Sequence, residues 1–332
     1  MEKRMTCGAL SLLLLLLLLC LPACRGEDKR TDAFYGMGTS VFVTLYGTED
    51  AAAEGFALVR STVAELDALW SLNLTDSDIS RLNRSDTGIS DADGRTASLI
   101  GQAVTLSAKT GGCFDVTLAA LSALWQACGE ENRLPTEGEL AERLAPVGTS
   151  KLRVDGTAVT KAAGQQIDLG AIAKGAAISY LTALLSATEG LSGGLISMGS
   201  CVGGFGVKPD GSAFRISVRD PKSQTGTVGT LSLDAGQVLS VSGDYERFVT
   251  IGGKRYHHIL DPKTGYPTES GLSSAAVITQ DGATADALST AFLVMGEAAA
   301  LAFYRAGTIP FEAVLIRSDG TVVCTDAARF RQ

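Results

Sequence analysis

The chain of 332 residues contains only two histidines, and they stand side by side in RYHHILDPKTGYP, residues 255–267. An imidazole titrates close to neutral pH, so it is the side chain best suited to take a proton from an attacking hydroxyl. On an extended strand His257 and His258 face opposite sides, and at most one of them can point into a given site. Taken alone, the segment also reads as a strand whose two rings are satisfied by hydrogen bonds. A second segment, ATADALSTAFLVMG at residues 283–296, sets Asp286 and Thr290 four residues apart. On a helix that spacing puts a carboxylate and a hydroxyl on one face, and hard oxygen ligands of this kind suit Mg²⁺. The plainer reading makes Asp286 a first-turn carboxylate favoured by the helix dipole and Thr290 a packed residue.

These residues need a scaffold, and the hydrophobic pattern supplies its elements. Residues 39–46 alternate, with Val41, Val43 and Leu45 on one face of a strand. Over residues 51–72, Phe56, Val59, Val63, Leu66 and Leu69 recur at three- and four-residue steps, the period of an amphipathic helix. Further helices are predicted over residues 97–109, stopped by Gly111-Gly112, and over residues 117–128. Thr136 and Glu139 form a capping-box pattern, and Asp155-Gly156 marks a hairpin. Residues 171–187 read as a largely apolar, buried helix. From residue 194 strands dominate: residues 195–198, 213–218, 230–233, 238–241, a hairpin about Gly252-Gly253, and residues 272–279. Helices over residues 283–295 and on to 306, then a last pair of strands about residues 318–320, complete the chain. Hairpins in one group and helices in others predict an α+β fold, a mixed, mainly antiparallel sheet flanked by helices. The 38 glycines are spread along the chain, so no linker separates domains.

At the amino terminus Lys3 and Arg4 precede a leucine run at residues 12–19 and then Leu-Pro-Ala-Cys ending at Cys24. The run is far shorter than the ~20 residues that span a bilayer, so residues 1–23 read as a cleaved signal peptide. The site resembles a bacterial lipobox, with Cys24 the lipidated first residue of the mature chain. Residues 24–32 then read as a tether, residues 33–332 as the folded domain, and the location as extracytoplasmic, anchored to the bacterial cell membrane. Four further cysteines, Cys113, Cys128, Cys201 and Cys324, allow three disulfide connectivities and show no CxxC spacing; they read as small buried apolar residues. A net charge of −8 disfavours nucleic acid or anionic lipid bound through a basic patch. Any phosphate must be held by a metal ion or by local backbone.

Two further segments, DLGAIAKG at residues 168–175 and SGDYERF at residues 242–248, complete a pattern. Together with MGTSVFV from Met37, DSDISRLN from Asp76, GGCFDVTLAALSALW from Gly111, YHHILDPKTGYP and DALSTAFLVMG, they resemble, in order, the ApbE family of FAD:protein FMN transferases. The resemblance spans essentially the whole chain after the leader. It implies a two-lobed α+β fold with FAD in the cleft between lobes. It implies Mg²⁺ ligation by the backbone carbonyl of Ala171 and by Asp286 and Thr290, with Ser289 beside them. Nucleotide contacts are implied at Met37, Cys113, Phe114, Asp115, Asp168, Lys174 and Leu260. Met37 and Phe114 would offer apolar surface to a ring, Asp168 would accept from an amine or ribose hydroxyl, and Lys174 would meet a phosphate. His258 would act as proton acceptor or charge stabiliser beside the scissile pyrophosphate. Two positions depart from the family pattern. Asn73 stands at a flavin-binding position where an aromatic residue is expected, and Gly199-Ser200-Cys201 replaces a Gly-Gly followed by Asp or Asn. The implied reaction is Mg²⁺-dependent transfer of FMN from FAD to a Thr or Ser hydroxyl of an extracytoplasmic or membrane acceptor protein, releasing AMP. Two alternatives stay open: an FAD pyrophosphatase giving FMN and AMP, and a non-catalytic FAD-binding lipoprotein.

Overall fold

The computed structural model describes residues 28–223, 225–326 and 329–332. The predicted signal segment and Cys24 lie outside the described residues. The chain opens with a hairpin of β1 (Asp28–Gly36) and β2 (Thr39–Gly47), followed by α1 (Glu49–Trp70), α2 (Asp78–Arg84), β3 (Gly88–Ile89) and α3 (Gly94–Lys109). Next come α4 (Ala119–Glu130), α5 (Glu137–Leu144), β4 (Arg153–Asp155), β5 (Ala158–Thr160) and α6 (Ala173–Ser186). The strand-rich half holds β6 (Leu191–Met198), β7 (Cys201–Gly206), β8 (Phe214–Arg219), β9 (Thr227–Leu233), β10 (Val238–Gly243), β11 (Phe248–Ile251), β12 (Lys254–His257) and β13 (Leu272–Thr279). It closes with α7 (Gly282–Ala306), β14 (Glu312–Arg317), β15 (Val322–Cys324) and β16 (Phe330–Arg331).

Eight strands form one sheet in the order β1-β2-β6-β7-β10-β13-β14-β15, and every neighbouring pair in it is antiparallel. The expected α+β architecture is therefore the observed one. One correction falls at its edge: residues 28–32, read as tether, are paired in β1, where Asp28 faces Gly47 and Asp32 faces Val43. The charged run DKRTD hid the strand because an edge strand carries charge without penalty.

Period-two alternation sorts the sheet's two faces. Leu239, Ala276, Ile278, Val314 and Ile316 pack on one side with Phe214, Val218, Leu231 and Leu233 of the small β16-β9-β8 sheet. The intervening residues face the helices, where Val41, Val43, Leu45 and Ile196 join α1, α3 and α6 in the largest core. Ala275 and Val277 pack with Phe292 and Phe311. A separate small core, Leu121, Trp125, Cys128, Leu140, Ile251 and Leu260, binds α4 and α5 to the β11–β12 hairpin. The capping box predicted at Thr136 forms, with Thr136 Oγ1 accepting from the Glu139 amide at 3.2 Å. Helix α7 breaks at Gly296, whose φ of 77° and ψ of 170° are non-helical. It is thus the pair of helices the sequence predicts, joined end to end.

Candidate functional site

The site is built where α6 crosses α7. A Cβ placed on Gly175 would stand 1.9 Å from the carbonyl oxygen of Gly282, and one on Gly282 would stand 2.0 Å from that of Gly175. Only a glycine pair lets the two backbones approach so closely. An alanine would gain roughly 0.5–1 kcal/mol of helix propensity, but overpacking costs about 1–3 kcal/mol, so sterics win. The close approach brings the Gly175 amide to Oδ2 of Asp286, 3.1 Å away. The neighbouring amides Ala173 and Ala176 bond back to Leu169 and Ile172, four residues earlier. The Gly175 amide, whose helical partner would be Ala171, donates to Asp286 instead, so that helix bond is not made to the Ala171 carbonyl.

Asp286 is 2 % exposed and saturated on one side. Its Oδ1 accepts from Ser240 Oγ at 2.8 Å and from Cys201 Sγ at 3.3 Å. Burial, and next to it the Asp286 carboxylate, push the Cys201 thiol well above its ordinary value, so it stays protonated and donates. The departure at Cys201 thus removes a polar side chain of the family pattern yet keeps a donor on the carboxylate. Lys174 Nζ stands 3.8 Å from Oδ2 and donates to the Gly170 carbonyl at 2.6 Å. Burial works to lower the Lys174 pKa, but the Asp286 charge offsets it and the net shift is upward. The ammonium is held in its charged form, ready for an anion.

From β10, Ser240 and Ser242 point to the helix side because they alternate with Leu239 and Val241, which pack on the far face. They meet Asp286, Ser289 and Thr290, spaced to share a face of α7. Ser242 Oγ lies 2.8 Å from Ser289 Oγ and 3.1 Å from Thr290 Oγ1. Asp286, Thr290, Ser289 and the Ala171 carbonyl are all oxygen donors. Among the described residues no group of three His, Cys, Asp or Glu side chains stands ready to hold a metal. One carboxylate with neutral oxygens fits Mg²⁺, which keeps waters and substrate phosphates in its remaining positions, and fits poorly a metal that seeks imidazole or thiolate.

His258 follows β12. Its amide and its Nδ1 both lie within reach of the Arg247 carbonyl, at 3.1 and 3.0 Å. A carbonyl only accepts, so Nδ1 carries the proton and the lone pair is on Nε2. Burial, reinforced by the Arg247 charge, pulls its pKa down to about 4, and the charge of Lys174 reaches it as well. His257 is spent elsewhere: its Nε2 pairs with the Thr268 carbonyl at 2.8 Å. The two rings therefore take different partners, although β12 ends at His257 and His258 lies in the bend beyond it.

The remaining expected contacts sort into walls and supports. Met37, at the β1–β2 turn with φ of 49°, is partly buried against the main core. A Cβ on Gly199 would lie 2.9 Å from Thr39 Oγ1 and 3.8 Å from Lys174 Cδ, so this turn, Gly199 and Lys174 share one wall. Cys113 is half-buried; burial raises its thiol pKa, with smaller contributions from the charges of Lys263 and Asp261 in the DPKTG turn. Asp168 Oδ1 accepts from the Gly170 amide at 2.7 Å, shaping the entry to α6.

Three of these positions turn their side chains to protein partners. Phe114, expected to offer its ring to the nucleotide, is 1 % exposed within the main core, because a large apolar ring gains more from burial there. Leu260 is 4 % exposed in the small core with Leu121 and Trp125. Asp115 spends its oxygens on protein donors: Oδ1 on the Thr117 amide and hydroxyl, Oδ2 on the Thr149 amide. Asn73 is exposed in the loop after α1, its amide held by Ser71 Oγ at 3.1 Å. Conversely, sequence reasoning missed Gly175, Ser240 and Ser242. The signal for the serines was present in LSVSG, whose period-two hydroxyls alternate with apolar residues.

Comparison with known proteins agrees with this geometry. The family model described as the ApbE family matches residues 37–315. An FAD:protein FMN transferase of Vibrio cholerae is 29 % identical over 307 residues, covering 89 % of this chain and 91 % of that protein. One of Haemophilus influenzae is 29 % identical over 334 residues, covering 95 % and 94 %. The crystal structure of the ApbE protein of Thermotoga maritima superposes with a TM-score of 0.83 at 29 % identity, covering 92 % of this chain and all of that one. The apo flavinyl transferase ApbE of Pseudomonas stutzeri gives 0.78 at 30 % identity, covering 91 % and 96 %. With matched sequence running from the first hairpin to β14, and the same fold throughout, the chain belongs to the ApbE family.

Proposed function

We propose that this protein is an FAD:protein FMN transferase that uses Mg²⁺ to move the FMN half of FAD onto a Thr or Ser hydroxyl of an acceptor protein, releasing AMP. The relatives of Vibrio cholerae and Haemophilus influenzae carry that transferase name. The observation that carries the reading is Asp286, a buried carboxylate pinned on Oδ1 with Lys174 beside Oδ2 and Thr290 one turn along. When bound, Mg²⁺ supplies charge neutralisation on the pyrophosphate. Asp286, Thr290 and the Ala171 carbonyl would hold it, with Ser289 beside them. Lys174 offers a cation to a phosphate oxygen. His258 Nε2 takes the proton of the acceptor hydroxyl as its oxygen attacks the FMN phosphorus; the bridging P–O bond breaks and AMP departs with those electrons. An acceptor bound in the cleft must therefore present its hydroxyl to Nε2.

Incubation of the mature protein with FAD, Mg²⁺ and a candidate acceptor is expected to give in-gel flavin fluorescence on the acceptor and equimolar AMP, both stopped by EDTA. FMN and AMP without labelled protein would make the enzyme a pyrophosphatase, and intact FAD a binding protein. We further propose that Cys24 carries a diacylglyceryl anchor on the outer side of the membrane, because charge, leucine core and Leu-Pro-Ala-Cys agree at residues 3–24. Radiolabelled palmitate is expected to enter the full chain and not the Cys24→Ala variant; equal labelling of both would remove the anchor.

A further inference from the structure

The hydroxyls between β10 and α7 form a chain whose direction follows from counting protons. Each serine or threonine hydroxyl has one hydrogen to give and two lone pairs to receive. Ser289 Oγ lies 2.9 Å from the Asp286 main-chain carbonyl, which can only accept, so the Ser289 hydrogen goes there. Ser242 Oγ, 2.8 Å from Ser289 Oγ, must then be the donor of that pair. Its single hydrogen is now spent, so across the 3.1 Å to Thr290 Oγ1 the donor is Thr290. Ser240 is outside the relay: its hydrogen is on Asp286 Oδ1 at 2.8 Å, and its contact with Ser289, at 3.4 Å the longest of these separations, carries no proton. The order is Thr290 to Ser242 to Ser289 to a helix carbonyl, and it leaves the Thr290 lone pairs unspent.

We infer that Ser242 is a positioning residue for the metal site: by accepting the Thr290 proton it fixes that hydroxyl so that its lone pairs, not its hydrogen, meet the cation. The inference rests on the proposed metal site at Asp286 and Thr290. Without Ser242, the Thr290 hydrogen is free to swing toward the metal, where a positive charge repels it. Groups that orient ligands in this way typically change metal affinity by about 10–100-fold. Serine at residue 242 is half-buried on a strand, so a threonine there keeps the acceptor oxygen in an extended backbone that favours it.

The test is titration of the mature protein with Mn²⁺ in place of Mg²⁺, reading free Mn²⁺ by electron paramagnetic resonance. Ser242→Ala is expected to weaken Mn²⁺ binding about 10–100-fold, and Ser242→Thr to restore it. In a Thr290→Val background, Ser242→Ala is expected to cost nothing more, because its effect passes through the missing hydroxyl; a packing role would still weaken binding there. Wild-type Mn²⁺ affinity in Ser242→Ala, with binding lost in Asp286→Ala, overturns the relay alone. Wild-type affinity in Asp286→Ala overturns the metal site and the relay with it. Should Ser242→Ala fold poorly, Ser242→Thr beside Thr290→Val reads the same contrast: retained affinity in the first and lost affinity in the second, with the opposite result overturning it.

Discussion

Asp286→Asn is expected to lower FMN transfer about 10²–10³-fold, the scale on which removing one charge-stabilising group acts, and to abolish Mn²⁺ binding. Asparagine is the informative substitution because it keeps the shape of a side chain that is 2 % exposed. Its amide oxygen can still accept from Ser240 Oγ and Cys201 Sγ, which now stand at 2.8 and 3.3 Å. Asparagine leaves only the Gly175 amide, now facing the side-chain NH2, without its acceptor; alanine would strand all three donors, and each unsatisfied buried group costs about 1–3 kcal/mol, which would mix folding with chemistry. The measurement is single-turnover flavin transfer at saturating FAD, with the melting temperature taken alongside. A folded Asp286→Asn protein with wild-type turnover would leave the cation no role at this carboxylate.

The second large effect is expected at His258. Replacement by Gln removes the proposed proton-accepting nitrogen and should slow transfer about 10²–10⁴-fold, while FAD affinity is expected to change little because the proposed role sets the ring against the acceptor hydroxyl. The pH dependence is the sharper readout. In the folded protein burial holds the His258 pKa down to about 4, so the imidazole is neutral and competent above that value. The acid limb of kcat/KM in the wild type should therefore fall near pH 4, far below the ordinary imidazole range, and vanish in the Gln variant. A limb at 6.5 or above would remove His258 from the proton-taking role. Stability follows the same linkage. Between about pH 6.5 and 4 the unfolded chain binds the proton that the folded one refuses, so this contribution is complete above 6.5 and is lost as pH falls through the folded value.

Much of this arrangement was legible in the sequence because period carries face. The four-residue step from Asp286 to Thr290 put both on one side of α7; the neighbouring histidines do take different partners, but the strand ends at His257, so its alternation is not the cause. The α+β class followed from hairpin turns such as Gly252-Gly253, which β11 and β12 flank. What was not legible depends on packing that local pattern does not encode. Phe114, in a segment the resemblance assigns to the nucleotide, has its ring drawn into the core. Strand β7, CVGGFG, is not among the strands read from the sequence because glycine is depleted in strands, yet there glycine is what clears Ile178: a Cβ on Gly203 would sit 2.2 Å from its side chain. Helix α2 was hidden in a polar stretch and is fixed by its cap, with Ser77 Oγ accepting from the Ser80 amide at 3.0 Å. Above all, LSVSG shows that Ser240 and Ser242 share a face of β10, but not that α7 is laid across that face with Asp286, Ser289 and Thr290.

Strand β1 begins at Asp28, only four residues after Cys24. With the proposed diacylglyceryl group in place, four backbone steps reach at most about 14 Å, so the enzyme would ride on a leash shorter than its own radius. A catalyst held so close to the lipid headgroups searches a thin layer rather than a volume. It would meet hydroxyls on the outward loops of integral proteins far more often than those on freely diffusing ones.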